Sequence, residues 1–303
     1  MDERFYFWQP PAGHTITTGP EQSLIFVPEI PIPLLVEPSD ETPADQELGK
    51  GVYAYLRQFP DCEHAREYAQ LLKEGYSHFL ADLASQAVML NHKQVDSPYL
   101  HRQINCLKIL ALLEPENAGL QGQLGITLYQ LALMFQELPL SRQHLLQALG
   151  YFNRATKLGH ADAGIANYLA HVNYLIGDYP VALQRWQQAL ANVANDRQRQ
   201  QLEQRIGRLE RWDVPDYPLC DDLEQVGQAL ELYSAQKFGP AVHLLEQVSA
   251  RGLLLEEFSM PEFYYLEGLC YEGLGDVMPA RDAFRKAVTI DPDFQPALEK
   301  LPS

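Results

Sequence analysis

The side chains in this sequence that could bind a metal, act as a nucleophile or move a proton are nine histidines, four cysteines and many carboxylates. Their spacing argues against each use. The histidines form no H-E-x-x-H pair, the pattern that sets two ring nitrogens on one helical face for zinc. Cys62, Cys106, Cys220 and Cys270 are widely separated singletons without a C-x-x-C pair, and read as buried free thiols. No G-x-S-x-G stretch supplies a nucleophile elbow. GLQGQLG, from Gly119 to Gly125, lacks a GKS or GKT ending and stands at a predicted helix start instead of after a strand, so it does not cradle phosphate. Asp221 and Asp222 stand together near another predicted helix start, where the helix dipole favours carboxylates, and capping is expected of them instead of acid–base work. A Cys–His nucleophile assembled from distant positions is left open, because such partners meet only in space. The expectation is a chain with no catalytic residue, no metal and no cofactor.

The elements that carry these residues belong to a chain of 303 residues with 46% hydrophobic content, enough to bury a substantial core. The opening MDERFYFW has no basic segment followed by an apolar one, and no later apolar run is long enough to span a bilayer, so a cytoplasmic protein without membrane contact is expected. The net charge of -17 repels phosphate backbones and anionic lipid. Nucleic acid is therefore disfavoured as a partner, and an apolar or basic protein segment is favoured. DRQRQQLEQRIGRLERW departs from this balance, with Arg197, Arg199, Arg205, Arg208 and Arg211 in one predicted helix. Glu203 and Glu210 stand close enough for local pairing, so a solvated helix face is the expected reading.

In EGLGDVMPARDAFRKAVTIDP, from Glu272 to Pro292, Ala280, Phe284 and Ala287 recur at spacings of four and three on one helical face. Tyr264, Gly268 and Tyr271 make the matching stripe upstream, Gly275 and Asp276 make the turn, and Pro292 stops the second helix. This resembles the tetratricopeptide repeat (TPR), a helix–turn–helix unit with small and aromatic residues at these places. The match departs at Glu267, where the family has leucine. NYLAHVNYLIGDYPVALQRWQQAL repeats the pattern through Leu169, Ala170, Gly177, Asp178, Tyr179, Ala182, Trp186 and Ala189. Ala148, Phe152 and Ala155 stand 34 residues before Ala182, Trp186 and Ala189, which is the family's period. The ending KLGHADA of that earlier unit also resembles the related Sel1-like repeats. Leu124 and Gly125 begin a further unit, after a segment that ends one at Pro115.

The resemblance implies an all-α fold, a right-handed α-solenoid of TPR-like hairpins, preceded here by an extended Pro-rich N-terminal arm. Residues 1–43 form that arm, in which Pro28, Pro31, Pro33 and Pro38 exclude helix and central strand while ERFYFW and SLIFV are strand-like. Residues 44–94 form a helical segment, with one long amphipathic helix expected over Glu63–Leu90. Residues 95–212 hold TPR-like repeats with the Arg-rich extra helix, and 213–303 hold the C-terminal repeats. The surplus between Gly125 and Ala148 is expected to lengthen a first helix before the turn ELPLS. The wide interval from Ala182 to Ala241 is filled by the Arg-rich helix and the loop WDVPDYPLCDD, and smaller additions fall around GLLLEEFSM.

In this family the first helix of each unit lines a concave groove that holds peptides or partner helices. Transferred to this sequence, the groove positions are Asn167, His171 and Tyr174 in one unit, Leu223, Val226 and Leu230 in the next, and Tyr265, Leu269 and Glu272 in the last. The alternative for His171 and Tyr174 is contact with the adjacent hairpin. Some members hold a partner's C-terminal carboxylate with basic residues and asparagines, but here Gly164, Leu223, Val226 and Gly227 are neutral, which disfavours that use. The resemblance therefore implies a non-catalytic adaptor, scaffold or assembly factor for a protein or peptide partner. Two alternatives stand beside it: an arm that occupies a groove, giving autoinhibition or a homo-oligomer, and an accessory subunit that regulates an enzyme.

Overall fold

The computed structural model of the chain describes residues 5–18, 23–37, 42–89, 96–160, 162–193 and 195–301. Pro38, Leu90 and Ala161, used above, lie outside them. The described residues form two compact units, one from Met1–Thr127 with Arg154–His160, the other from Leu128–Asn153 with Ala161–Ser303.

In the first unit the arm is a pair of short antiparallel ribbons. Strand β1 (Tyr6–Trp8) pairs with β4 (Ile32–Leu34), and β2 (Thr15–Thr18) pairs with β3 (Ser23–Phe26). The two strand-like stretches are strands, but each finds a different partner. Pro33 stands opposite Phe7 in a ribbon that has no interior strand, so its missing N–H interrupts no central ladder. Behind the arm lie α1 (Asp45–Gln58), α2 (Ala65–Gly75), α3 (Ser77–Met89) and α4 (Ser97–Leu113), followed by α5 (Ala118–Ala132), which belongs to the second unit from Leu128 onward. The arm's Ile16, Val27, Ile32 and Leu34 are buried. Gly51 of α1 lets the Pro33 carbonyl approach so closely that a Cβ there would collide with it. The Tyr68 hydroxyl of α2 donates to the Pro31 carbonyl, and the Thr17 N–H donates to Asp45 Oδ2 at 2.9 Å. These four apolar side chains are thus covered, while Leu24, Phe26 and Val36 of the same arm stay exposed.

The long helix expected over Glu63–Leu90 is two helices, broken at Tyr76. Tyr76 takes φ -140° and ψ 46°, lays its ring over Gly49 of α1 and donates its hydroxyl to the Asp45 carbonyl. Burying that ring against α1 outweighs one more helical residue.

The second unit continues through a 3₁₀ turn (Phe135–Leu140) to α6 (Ser141–Lys157, of which Arg154 onward belongs to the first unit), α7 (Ala163–Leu175), α8 (Tyr179–Asn192), α9 (Asp196–Glu210), α10 (Leu219–Ser234) and α11 (Phe238–Arg251). Then follow α12 (Leu253–Glu257), α13 (Pro261–Leu274), α14 (Val277–Ile290) and α15 (Gln295–Leu298). Pairs α7–α8, α10–α11 and α13–α14 are the TPR-like hairpins that the alanine and aromatic spacing predicts. Their turns share one geometry. Gly177, Gln236 and Gly275 take φ values of 86°, 58° and 83°. In each, the next N–H reaches back to a carbonyl five residues earlier: Asp178 to Asn173, Lys237 to Leu232 and Asp276 to Tyr271. Ala182, Trp186, Ala189, Ala241, Ala280, Phe284 and Ala287 are buried at the helix seams. At Gly268 a Cβ would strike the Phe284 ring, so glycine sets how closely α13 meets α14.

Two expectations need correction. Helix α5 is not lengthened; it ends at Ala132 and the surplus forms the 3₁₀ turn, whose Pro139 backbone seats against Gly227 of α10. Asp221 and Asp222 do not cap α10, whose N-cap is Pro218 without a side-chain bond. Asp221 accepts from Arg142, and the fully buried Asp222 accepts from Arg251 Nε at 2.9 Å. Burial pushes the Asp222 carboxyl up and the Arg251 hydrogen bonds oppose that rise. Both acids do stand in the first turn of α10, where the dipole favours carboxylates, but their side chains bond arginines.

Glu267, the departure from the family pattern, is buried at 6% exposure on α13. Burial pushes its carboxyl up, Lys286 opposes and Glu246 adds to the rise. A carboxyl whose folded pKa exceeds its unfolded one stabilises the fold below the unfolded value near 4.5, and that advantage is lost as pH rises through the folded value. Glu267→Leu is therefore expected to stabilise the protein at pH 7.5 by about 1–3 kcal/mol, the cost of a poorly satisfied buried polar group. Urea unfolding at pH 7.5 and pH 4 checks this: the gain shrinks at the lower pH.

Candidate functional site

Helix α9, the Arg-rich insert, lies with α7 and α12 around a cavity of about 640 Å³. Local sequence fixes each wall. Asp162 caps α7 by accepting from the Ile165 N–H at 2.8 Å, and Asn195 caps α9 by accepting from Arg197 and Gln198 N–H groups at 2.9 and 3.2 Å. Leu202, Ile206 and Leu209 bury the inner face of α9, which leaves Gln201, Gln204, Arg205 and Arg208 toward the opening. Gly252, at φ 75°, ends α11 and starts the short α12, which delivers Glu257 and Phe258 to the same cavity.

A continuous polar chain runs behind the cavity. The Tyr129 hydroxyl lies 2.6 Å from His171 Nδ1, and His171 Nε2 lies 3.0 Å from Glu257 Oε1. Arg205 Nη2 donates to that same Glu257 oxygen at 2.8 Å. An ionised carboxylate only accepts, so Nε2 carries the proton and Nδ1 accepts from the tyrosine. Burial holds the His171 imidazole below its ordinary range, opposed by the Glu257 hydrogen bond and aided by the Arg205 charge. Burial alone would raise the Glu257 carboxyl, but the His171 hydrogen bond and Arg205 charge hold it below the ordinary carboxylate range. The Arg205 guanidinium also lies 5.3 Å from the centroid of the Trp186 ring.

The predicted groove residues divide three ways. Asn167 and His171 line the cavity, while Tyr174, 6% exposed, does not and packs its ring against Tyr179 and Trp186. The Asn167 Oδ1 accepts from Trp186 Nε1 at 3.1 Å. Leu223 and Val226 are buried in the core formed with α11 and α13, and Leu230 is packed against it half-buried. The apolar face of α10 was needed to close the hairpin core. Tyr265 and Leu269 pack half-buried beside Phe284 and Phe294, and Glu272 is exposed with Lys300 on it. The Arg-rich helix also departs from the local pairing expected with Glu203 and Glu210: Arg205 bonds Glu257, and Arg208 Nε stands 3.7 Å from Asp213 Oδ2. Glu257 was missed because its partners lie 86 and 52 residues away in sequence.

Neither a family model nor a curated protein matches this chain. Among solved structures it is similar to the MamA protein, at 15% identity and a TM-score of 0.30 over 74% of this chain and 97% of that one. It is also similar to YrrB, a TPR protein with an unusual peptide-binding site, at 16% identity and a TM-score of 0.31 over 74% of this chain and 90% of that one. At these TM-scores the likeness carries no argument, and the hairpins are established by the helices of this chain.

Because His171 must stay neutral inside the fold, its contribution is present above its unfolded pKa near 6.5 and is lost as pH falls through the folded value. The His171 contribution to wild-type stability is expected to decline on acidification below about pH 6.5. The slope in that window is smaller in His171→Phe. Glu257→Ala, which strands His171 and Arg205, is expected to cost about 2–3 kcal/mol. Urea unfolding of both variants from pH 7.5 to pH 5 measures the two effects.

Proposed function

We propose that the protein is a non-catalytic interaction module that holds a peptide or helix of a partner protein in the α7–α9–α12 cavity. The observation that carries this reading is the placement of Asn167. Trp186 Nε1 is only a donor, so the Asn167 carbonyl faces the tryptophan and its amide N–H₂ is left for the cavity. With exposed Gln201 and Gln204 amides opposite, the walls offer the spaced donors and acceptors that a peptide backbone requires. His171, the one imidazole on the cavity wall, has both nitrogens engaged within the chain, which argues against its use as a base. An adaptor, a scaffold and an accessory subunit of an enzyme all use such a site, and the partner decides among them. The free thiols Cys62, Cys106, Cys220 and Cys270 fit a reducing cytoplasmic setting. No helix among the described residues is long and apolar enough to cross a membrane.

A displayed library of random 12-residue peptides tests the reading. Selection on the full chain is expected to enrich a family of sequences, and Gln201→Trp, which fills the cavity mouth from an exposed position, is expected to abolish that enrichment while leaving thermal unfolding unchanged. Enrichment that survives Gln201→Trp would move the site elsewhere.

The arm supports a second reading, self-association. Leu24 and Phe26 of β3 are 70% and 74% exposed, on a ribbon that contains two strands among the described residues. If that ribbon joins two copies, sedimentation of the full chain gives a dimer mass that Leu24→Asp with Phe26→Asp reduces to a monomer. A monomeric wild type contradicts it.

A further inference from the structure

We infer that the peptide held in this cavity is acidic, with Asp or Glu side chains seated on Arg205 and Arg208; the inference rests on the peptide-binding reading above. The chain carries 40 acidic and 23 basic residues, which on average repels such a ligand. The cavity reverses that balance. Its charged lining is two guanidinium groups and one carboxylate, and the carboxylate, Glu257, already accepts from both His171 and Arg205. Helix α7 brings no acid to this wall, and the residues of α9 that face it, apart from the two arginines, are amides and apolar groups.

The two arginines are placed for carboxylates. They stand three residues apart on α9, which sets them on one face of the helix about 5–6 Å apart at Cβ. Arg205 is held flat by Glu257 on one side and the Trp186 ring on another, so its planar fork is already oriented. Arg208 is partly exposed and forms a loose ion pair with the exposed Asp213, whose 3.7 Å separation from Nε is too long for a hydrogen bond. Its N–H donors are therefore available for a bidentate bond to an incoming carboxylate. The Asn167 amide adds a neutral donor from the facing helix. Against this the chain's net charge acts over distance, but at physiological salt it is screened beyond about 8 Å. Within the cavity the local groups decide. The Arg-rich insert thus supplies basic charge that the repeat positions themselves lack, and an acidic segment is the occupant that neutralises it.

The same 12-residue library, selected on the full-length wild type and on Arg208→Glu, tests this. Sequences enriched by the wild type are expected to be richer in Asp and Glu than the input, and Arg208→Glu is expected to remove that bias. A synthetic peptide from the wild-type selection, followed by fluorescence anisotropy, is expected to lose about tenfold or more in affinity for Arg208→Glu, the worth of one hydrogen bond to a charged group. Arg208→Gln, which removes the charge without reversing it, is expected to show the same direction, and thermal unfolding confirms that both variants fold. The peptide with its Asp and Glu replaced by Asn and Gln is expected to bind the wild type weakly and to be insensitive to Arg208→Gln. Enrichment without an acidic bias, or with a bias that both Arg208 variants retain, overturns the acidic assignment and leaves the peptide-binding reading standing. No enrichment by the wild type overturns both.

Discussion

The candidate site depends on one shared oxygen. Glu257 Oε1 accepts from His171 of α7 and Arg205 of α9, so three helices that are separate in sequence are tied at a single partly buried carboxylate. Ionised and half-desolvated, that carboxylate would be costly without both partners. Given both, it fixes the histidine tautomer, orients the guanidinium and keeps α9 beside α7. The cavity is the space left beside the clamp, while the apolar face of α9 formed by Leu202, Ile206 and Leu209 packs it onto the hairpin.

The repeat hairpins themselves follow the ordinary logic of small and large residues. Glycine at Gly268 and alanines at Ala182 and Ala280 let two helices approach, while Trp186 and Phe284 fill the seam. Irregular pieces between hairpins carry what is particular to this chain. The 3₁₀ turn docks on Gly227, α12 delivers Glu257, and α9 delivers the arginines. Inserts that a strict array would not need are where the unusual side chains collect.

Much of the hairpin architecture was legible in the sequence because its signals are local. Ala280, Phe284 and Ala287 mark a face within one helix, and Gly275 with Asp276 marks a turn. The α10–α11 turn was less legible, since Gln236 stands in the left-handed position that glycine takes in the other two hairpins. The break at Tyr76 was hidden because a tyrosine at that point extends the α2 stripe as well as it packs on α1. For Leu223 and Val226, periodicity identified a face that is buried but not what buries it, and core closure claimed both. The clamp was invisible for a plainer reason. Arg205 read as solvated beside Glu203, and nothing local connects it to a glutamate in a short helix 52 residues later.

The central claim is that α7 and α9 together form the binding face, and amide hydrogen exchange across the full chain tests it most directly. With a saturating peptide selected on the wild type, slowed exchange is expected in α7 and α9, the helices that carry Asn167, His171, Arg205 and Arg208. Protection confined to α10–α11 or α13–α14, with α7 and α9 unchanged, would contradict it.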